Sequence, residues 1–310
     1  MNSLNKYALL LFALLSVAGL KAQQEGLASL YLENRLFLNP GYAGSRDVLS
    51  ATAQYRHQWV GFDDAPRTTM VTVHAPLANK RLALGGSIYD DRIGVTQETG
   101  IQLNYAYRLP VSSTGRLSFG LNGGVAYHRA ALTQLTLIDE IDQSFAADEQ
   151  RWVPLAGAGV WFDTDDAYLG FSVPRLLSTR FAPSSDSRQV RHYYLSGGYV
   201  HTANDKLRIR PTATVRLSEG GAPMQADVDL SFELMQRIWI GGGYRTSAAA
   251  KAHAQLMLPG GLAISYGYDF DVNDLSPYTA GSHEVAIRFD LLPKDGKAVL
   301  SPRQSPHRHF

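Results

Sequence analysis

The stretch LRIRPTATVRL, Leu207 to Leu217, followed after a short break by MQADVDLSFEL, Met224 to Leu234, decides the fold. In the first arm Leu207, Ile209, Pro211, Ala213, Val215 and Leu217 alternate with Arg208, Arg210, Thr212, Thr214 and Arg216. That period of two belongs to a β-strand with two unlike faces. The second arm sets Met224, Ala226, Val228, Leu230, Phe232 and Leu234 against Gln225, Asp227, Asp229, Ser231 and Glu233. A soluble sandwich would bury the apolar face against a second sheet. A membrane barrel turns it to lipid and the polar face to a lumen, and arms of about ten residues suit a tilted crossing of the bilayer. As an antiparallel hairpin, the arms place an arginine ladder (Arg208, Arg210, Arg216) beside an acidic one (Asp227, Asp229, Glu233). This lumen charge network needs partners or water.

Composition agrees. Beyond the N-terminus no window of about eighteen apolar residues occurs, which argues against a helical membrane protein. The slightly negative mean hydropathy is compatible with a barrel, whose strands average a lipid face with a lumen face. A net charge of +1 gives no reason to expect nucleic acid. The absence of cysteine excludes disulfides, thiolate metal sites, a cysteine nucleophile and a lipidated N-terminal cysteine. Residues 1–22 read as a cleaved signal peptide, with Lys6 as the positive start and Ala8 to Leu20 as the apolar run. The expected location is the outer membrane.

Residues 23–48 break the strand pattern, with Asn39, Pro40, Gly41 and Gly44 crowding the end. A short helix or loop is expected there, a periplasmic or plug segment packed at the periplasmic mouth. Residues 49–292 form an all-β, transmembrane antiparallel barrel of about fourteen strands. They lie near 49–59, 67–77, 81–90, 99–109, 116–128, 152–162, 166–173, 189–201, 206–217, 224–235, 237–246, 249–258, 262–271 and 282–292. Even-numbered connections are short throughout, whereas odd ones include 60–66, 91–98, 129–151, 174–188 and 272–281. Short periplasmic turns and longer extracellular loops give that asymmetry. Trp59, Phe62, Trp152, Trp161, Phe162, Tyr193, Tyr194 and Trp239 fall near strand ends, as interfacial girdles do. Residues 293–310 are expected to be a flexible periplasmic tail.

The chemical constellations are weak. The nine histidines are scattered without metal-ligand spacing. His128 and His253 lack a hydrolase motif around them, so lumen lining is the expectation. Gly123 with Gly124, and Gly241 to Gly243, lack the lysine and helix of a phosphate loop and read as room for bending or close packing. Asp139, Glu140, Asp142, Asp148 and Glu149 make the longest connection acidic, a candidate extracellular contact or lid. No catalytic residue, cofactor or metal site is expected.

LFLNPGYAGS at Leu36 to Ser45 and YRHQWVGFDDAP at Tyr55 to Pro66 resemble the signature of the PorP/SprF family of Bacteroidetes outer-membrane proteins. Thr68 to Leu77 and GGSIYDDRIGVTQETGIQLNYAYRL, Gly85 to Leu109, continue it. The resemblance implies a non-enzymatic component of the type IX secretion and gliding machinery. It implies a barrel that holds periplasmic machine components and one exported or surface protein while sitting in outer-membrane lipid. The residues expected to bind a partner are Asn39, Pro40, Tyr42, Gly44, Trp59, Gly61, Phe62 and Pro66. The rival readings are a porin or hydrophobic-solute channel with an N-terminal plug, and a barrel hydrolase.

Overall fold

Alternation along each strand, rather than a buried apolar core, is what closes this molecule. In a computed structural model, residues 28–135, 147–178, 190–219 and 222–292 are described. The signal peptide, the acids Asp139, Glu140 and Asp142, and the tail from 293 lie outside the described residues. The strands are β1 (Ser50–His57), β2 (Arg67–Pro76), β3 (Leu82–Ile93), β4 (Thr96–Pro110), β5 (Arg116–Ala130), β6 (Glu149–Asp163) and β7 (Ala167–Val173). They continue as β8 (His192–Tyr199), β9 (His201–Asn204), β10 (Leu207–Ser218), β11 (Gln225–Leu234) and β12 (Ile238–Arg245), then β13 (Ala249–Met257), β14 (Leu262–Asp271) and β15 (Ser282–Asp290). Each pairs antiparallel with its neighbours, β1 pairs with β15, and β10 with β11, so the sheet closes on itself. β8 and β9 are two parts of one stave, making a fourteen-stranded barrel with one extra short strand.

The outward faces are apolar: Leu103 is 72% exposed, Leu121 61% and Val228 58%. The inward faces are polar and buried, as at Gln54, Arg56, Asp227 and Glu284. Such a surface is stable only against lipid, since each Å² of apolar area left in water costs roughly 25 cal/mol. Among the described residues no helix is long and apolar enough to cross a membrane.

The hairpin that began the reading has the expected register, with Leu207 opposite Leu234 and Arg208 opposite Glu233. The stave before it breaks at Val200: β10 pairs with β9 up to Ile209 and with β8 from Thr212. Pro211, which has no N–H for a ladder, lies in that break.

Two expected connections are shorter than read. The 91–98 link is a tight turn at Gly94 and Val95, with Gly94 at φ 56°, and Glu149 and Arg151 belong to β6 rather than to the acidic loop. Alternation persists there with polar outward residues, Asp90, Arg92, Arg129 and Gln150, so β3 to β6 rise above the apolar band as 12- to 15-residue strands. The end asymmetry survives. The links 58–66, 131–148, 174–191 and 272–281 share one end, and no link at the other end exceeds five residues.

The girdle expectation fails for Trp161, Tyr194 and Trp239, which sit at inward positions and are 1%, 5% and 2% exposed. Trp152, one phase over, points outward and is 64% exposed.

β7 is the short stave. It pairs with β6 only over Ala158–Asp163, and Glu149 to Gly157 have no strand on that edge among the described residues. Leu176 N donates to Ala156 O there. Pro154, two residues back on the same edge, has no N–H to leave unsatisfied.

Candidate functional site: a filled lumen

The segment 28–48 fills the barrel; it does not pack at a mouth. The physical reason is chemical matching: the lumen wall is polar, and this segment brings both the backbone groups and the charges that satisfy it. It holds one helical turn, α1 (Arg35–Leu38), and a 3-10 turn at Pro40–Tyr42. Leu30, Tyr31, Leu36, Tyr42 and Ala43 are buried with Asn34, Arg35, Asn39 and Arg46.

At the long-loop end Ser29 N donates to Glu284 Oε2 at 2.8 Å, Leu30 N to Glu284 Oε1 at 3.2 Å, and Ser29 Oγ to Asp269 Oδ2 at 2.6 Å. Arg56 holds both acids, at 2.6 Å to Glu284 and 2.8 Å to Asp269. Midway, Glu33 accepts from Arg288 at 2.5 Å and Gln255 at 2.6 Å. Arg35 lies over the rings of Tyr168 (4.7 Å), Tyr42 (5.8 Å) and Trp161 (6.0 Å), a cation–π arrangement strengthened by desolvation. At the short-turn end Arg46 forks onto Asp290 at 2.9 and 2.7 Å. Asp47 accepts from Arg108 at 2.6 Å and from Arg116 at 2.5 Å. Burial raises the Tyr31 phenol far above its usual range, so it stays a neutral partner to Thr212.

The Asn39-Pro40-Gly41 turn sits against a bare patch of wall. Asn39 Oδ1 accepts from Gly41 N at 2.8 Å, and Asn39 Nδ2 donates to the strand carbonyls of Val160 (3.0 Å) and Phe171 (3.3 Å). The wall can come that close because Gly120 faces the Pro40–Gly41 backbone and Gly159 faces the Asn39 side chain. Gly44, at φ 72°, donates its N–H to His74 Nδ1 at 3.0 Å. Of the eight residues expected to meet a partner, Asn39, Pro40, Tyr42 and Gly44 are therefore buried in the barrel. Trp59, Gly61, Phe62 and Pro66 lie in the β1–β2 loop at the long-loop end, so the motif's two halves form no single surface. There a vestibule of about 210 Å³ opens above the plug, with Trp59, Pro66, Tyr89 and Arg175 on its walls and Tyr31 and Phe37 on its floor.

The charge network differs from two facing ladders. Arg208 meets Glu233 at 3.0 Å as the register requires, but Arg210 lies 4.1 Å above the Trp239 ring. Asp227 meets its direct β12 neighbour Arg245 at 2.9 Å, and both aspartates reach past β12 to β13: Lys251 bonds Asp227 and, at 2.8 Å, Asp229. The reach is made possible by glycine. Gly243 lies between Asp229 and Lys251, and Gly241 between Ser231 and His253, so β12 presents no side chain in the way. Arg216, the ladder's last member, is buried opposite Gln225. Replacing Lys251 with methionine leaves two buried carboxylates short of a cation and is expected to cost about 3–5 kcal/mol. Thermal unfolding of the variant in detergent reads this, and an unchanged midpoint would show that the network contributes little.

Ser231 Oγ and His253 Nε2 are 3.0 Å apart, and His253 Nδ1 is 3.8 Å from Asp229. The last distance exceeds a hydrogen bond, Asp229 is already held by Lys251, and Ser231 is fully buried. The trio reads as wall packing.

Sequence reading missed Glu33, Arg46, Asp47, Arg56, Asp269, Glu284, Arg288 and Asp290. Their signal was present: the strand members occupy inward phases at which a charge must find a partner inside the barrel.

An outward apolar band, a charge-paired inner wall and an antiparallel closed sheet define an integral outer-membrane barrel. The chain belongs to the family of type IX secretion system membrane proteins PorP/SprF, whose profile matches residues 20–289. A search of curated proteins finds no match. Among solved structures the chain is similar to a Pseudomonas aeruginosa FadL homologue, at 13% identity, covering 83% of this chain and 94% of that one, TM-score 0.47. It is also similar to the Ralstonia pickettii toluene transporter TbuX, at 11% identity over 83% and 93%, TM-score 0.47. A third is the CymD monoaromatic hydrocarbon channel, at 8% identity over 86% and 94%, TM-score 0.46.

Proposed function

We propose that this protein is a non-catalytic anchor of the type IX secretion and gliding machinery, exported by its cleaved signal peptide and acting by holding partners. One observation carries the reading: the lumen is occupied by the chain's own N-terminal segment, whose charges are met by wall residues from one end to the other. A solute channel would have to break those buried pairs to open. The partner surfaces then lie at the two ends. Trp59, Gly61, Phe62 and Pro66 present the exported or surface partner's side. Periplasmic components meet the short turns, where Met235 is 75% exposed beside Leu258 and Pro259. Asn39, Pro40, Tyr42 and Gly44 serve indirectly, by fixing the plug.

The test is crosslinked affinity purification from native outer membranes, with the Trp59–Pro66 loop either intact or replaced by a glycine-serine linker, alongside single-channel recording of the intact protein. A large exported protein recovered only with the intact loop, together with a near-silent bilayer, is the expected result. Isolation of the protein alone in both cases, with steady conductance, would replace the anchor by the channel.

A further inference from the structure

The register of β2 to β5 stacks three outward rows. Val71, Ile88, Ile101 and Val125 are mutual neighbours across the four strands, and two residues higher come Thr69, Asp90, Thr99 and Tyr127. Two residues higher still come Arg67, Arg92, Gln97 and Arg129. The first row is lipid-facing. The second is interfacial, with Tyr127 against Trp152 at 5.0 Å between ring centres. The third is a row of exposed arginines at the depth where lipid headgroups lie.

That row is unfavourable as it stands. Arg67 and Arg92 are direct cross-strand partners, and like charges directly opposite repel. Asp90 engages only Arg92 Nε, at 2.7 Å, and shares its oxygens with Gln97 (2.6 Å) and Thr99 (2.7 Å). The Arg92 side chain remains 61% exposed. Asp148, near Arg129, accepts from Thr133 N and Oγ1. Among the described residues neither Arg67 nor Arg129 has a carboxylate within 4.0 Å, the nearby Asp63 and Asp64 included. With strands about 4.8 Å apart, Arg67 to Arg129 spans about 14 Å. One phosphate cannot bridge that distance, but a headgroup carrying two can, and arginine is the side chain suited to phosphate oxygens.

We propose that this outer wall is a binding site for a membrane lipid whose headgroup carries two phosphates, with its acyl chains along Val71, Ile88, Ile101 and Val125. The site rests on the barrel's place in the outer membrane and not on any secretion partner, so it stands or falls apart from the anchor reading.

The test uses the full chain in detergent, probed by native mass spectrometry with diphosphoryl lipid A, phosphatidylglycerol and inorganic phosphate as separate arms. The triple variant R67Q/R92Q/R129Q is compared with K206Q/R237Q, which removes two exposed cations at the opposite end. At roughly a fivefold effect per arginine near a lipid surface, the triple variant is expected to weaken lipid A binding by tenfold or more. The control is expected to match wild type. The single variant R67Q, expected to weaken binding severalfold, repeats the reading if the triple variant folds poorly. Equal lipid A retention by the folded variants, or equal capture of phosphatidylglycerol, would overturn the site. Full displacement by inorganic phosphate would reduce it to an adventitious ion only.

Discussion

Asp47→Asn is expected to unlatch the plug where it turns into β1. Arg108 and Arg116 both donate to Asp47 Oδ1, at 2.6 and 2.5 Å, with side chains 0% and 7% exposed. Asparagine keeps the shape and tolerates the left-handed backbone at this position (φ 59°), so the variant removes the charge alone. Among the described residues the two buried guanidiniums then keep one carboxylate within 4.0 Å, Asp163 at 3.1 Å from Arg116, beside the carbonyls of Lys80 and Ser45. Leaving a buried charge without its partner costs about 3–5 kcal/mol, and because the substituted amide still offers one acceptor oxygen we expect about 3. The plug carries its own reporters, since Arg35 and Arg46 are trypsin sites buried inside the barrel. Wild type should resist cleavage there, and Asp47→Asn should be cut at both. A variant equally resistant, with an unshifted thermal midpoint, would mean that the latch contributes nothing to plug retention.

Gly120→Leu should have the larger effect on permeability. A Cβ at Gly120 would meet the backbone of Pro40 and Gly41, which cannot swing aside as a side chain can. Overpacking usually costs about 1–3 kcal/mol when side chains can shift; here the Asn39-Pro40-Gly41 turn must leave its seat, with Asn39's two bonds to strand carbonyls. Gly123, on the same strand, faces outward with nothing within 4 Å of a built Cβ, so Gly123→Leu is the matched control. In planar bilayers, Gly123→Leu should remain as quiet as wild type while Gly120→Leu conducts. A silent Gly120→Leu barrel of normal stability would place the seal elsewhere in the lumen.

The contrast between those two glycines shows what was legible in the sequence. Strand number and the hairpin register follow from a period of two, which assigns a face to the side chains of the strands wherever apolar and polar residues alternate, but not where β3 to β6 run on with polar outward residues. What a face meets could not be read in the same way. Trp161 and Trp239 stand near strand ends like girdle residues, and only their inward phase sends them into the lumen. On β10 Asp227 and Asp229 stand opposite Thr214 and Thr212 rather than the arginines; Asp227 takes Arg245 alongside it on β12, and both reach Lys251 on β13 because Gly243 leaves the way open. The plug was hardest to read. Ser29 to Arg46 has no strand period, and its partners Asp269, Glu284, Arg288 and Asp290 lie some 240 residues away in the chain.

That separation bears on how the barrel comes to be closed. The plug's acidic and basic contacts fall chiefly on β1, β14 and β15, the strands on either side of the junction between the chain's first and last staves. Those contacts form only after the final strand arrives, and Arg56 and Glu284, direct partners across the β1–β15 ladder, are the same pair that holds Ser29. Ring closure and plug seating therefore draw on the same residues. The N-terminal segment adds Ser29, Glu33 and Arg46 to a seam whose own charges already pair, Arg56 with Glu284 and Arg288 with Asp290, so a barrel closed without it would leave those pairs facing an open lumen.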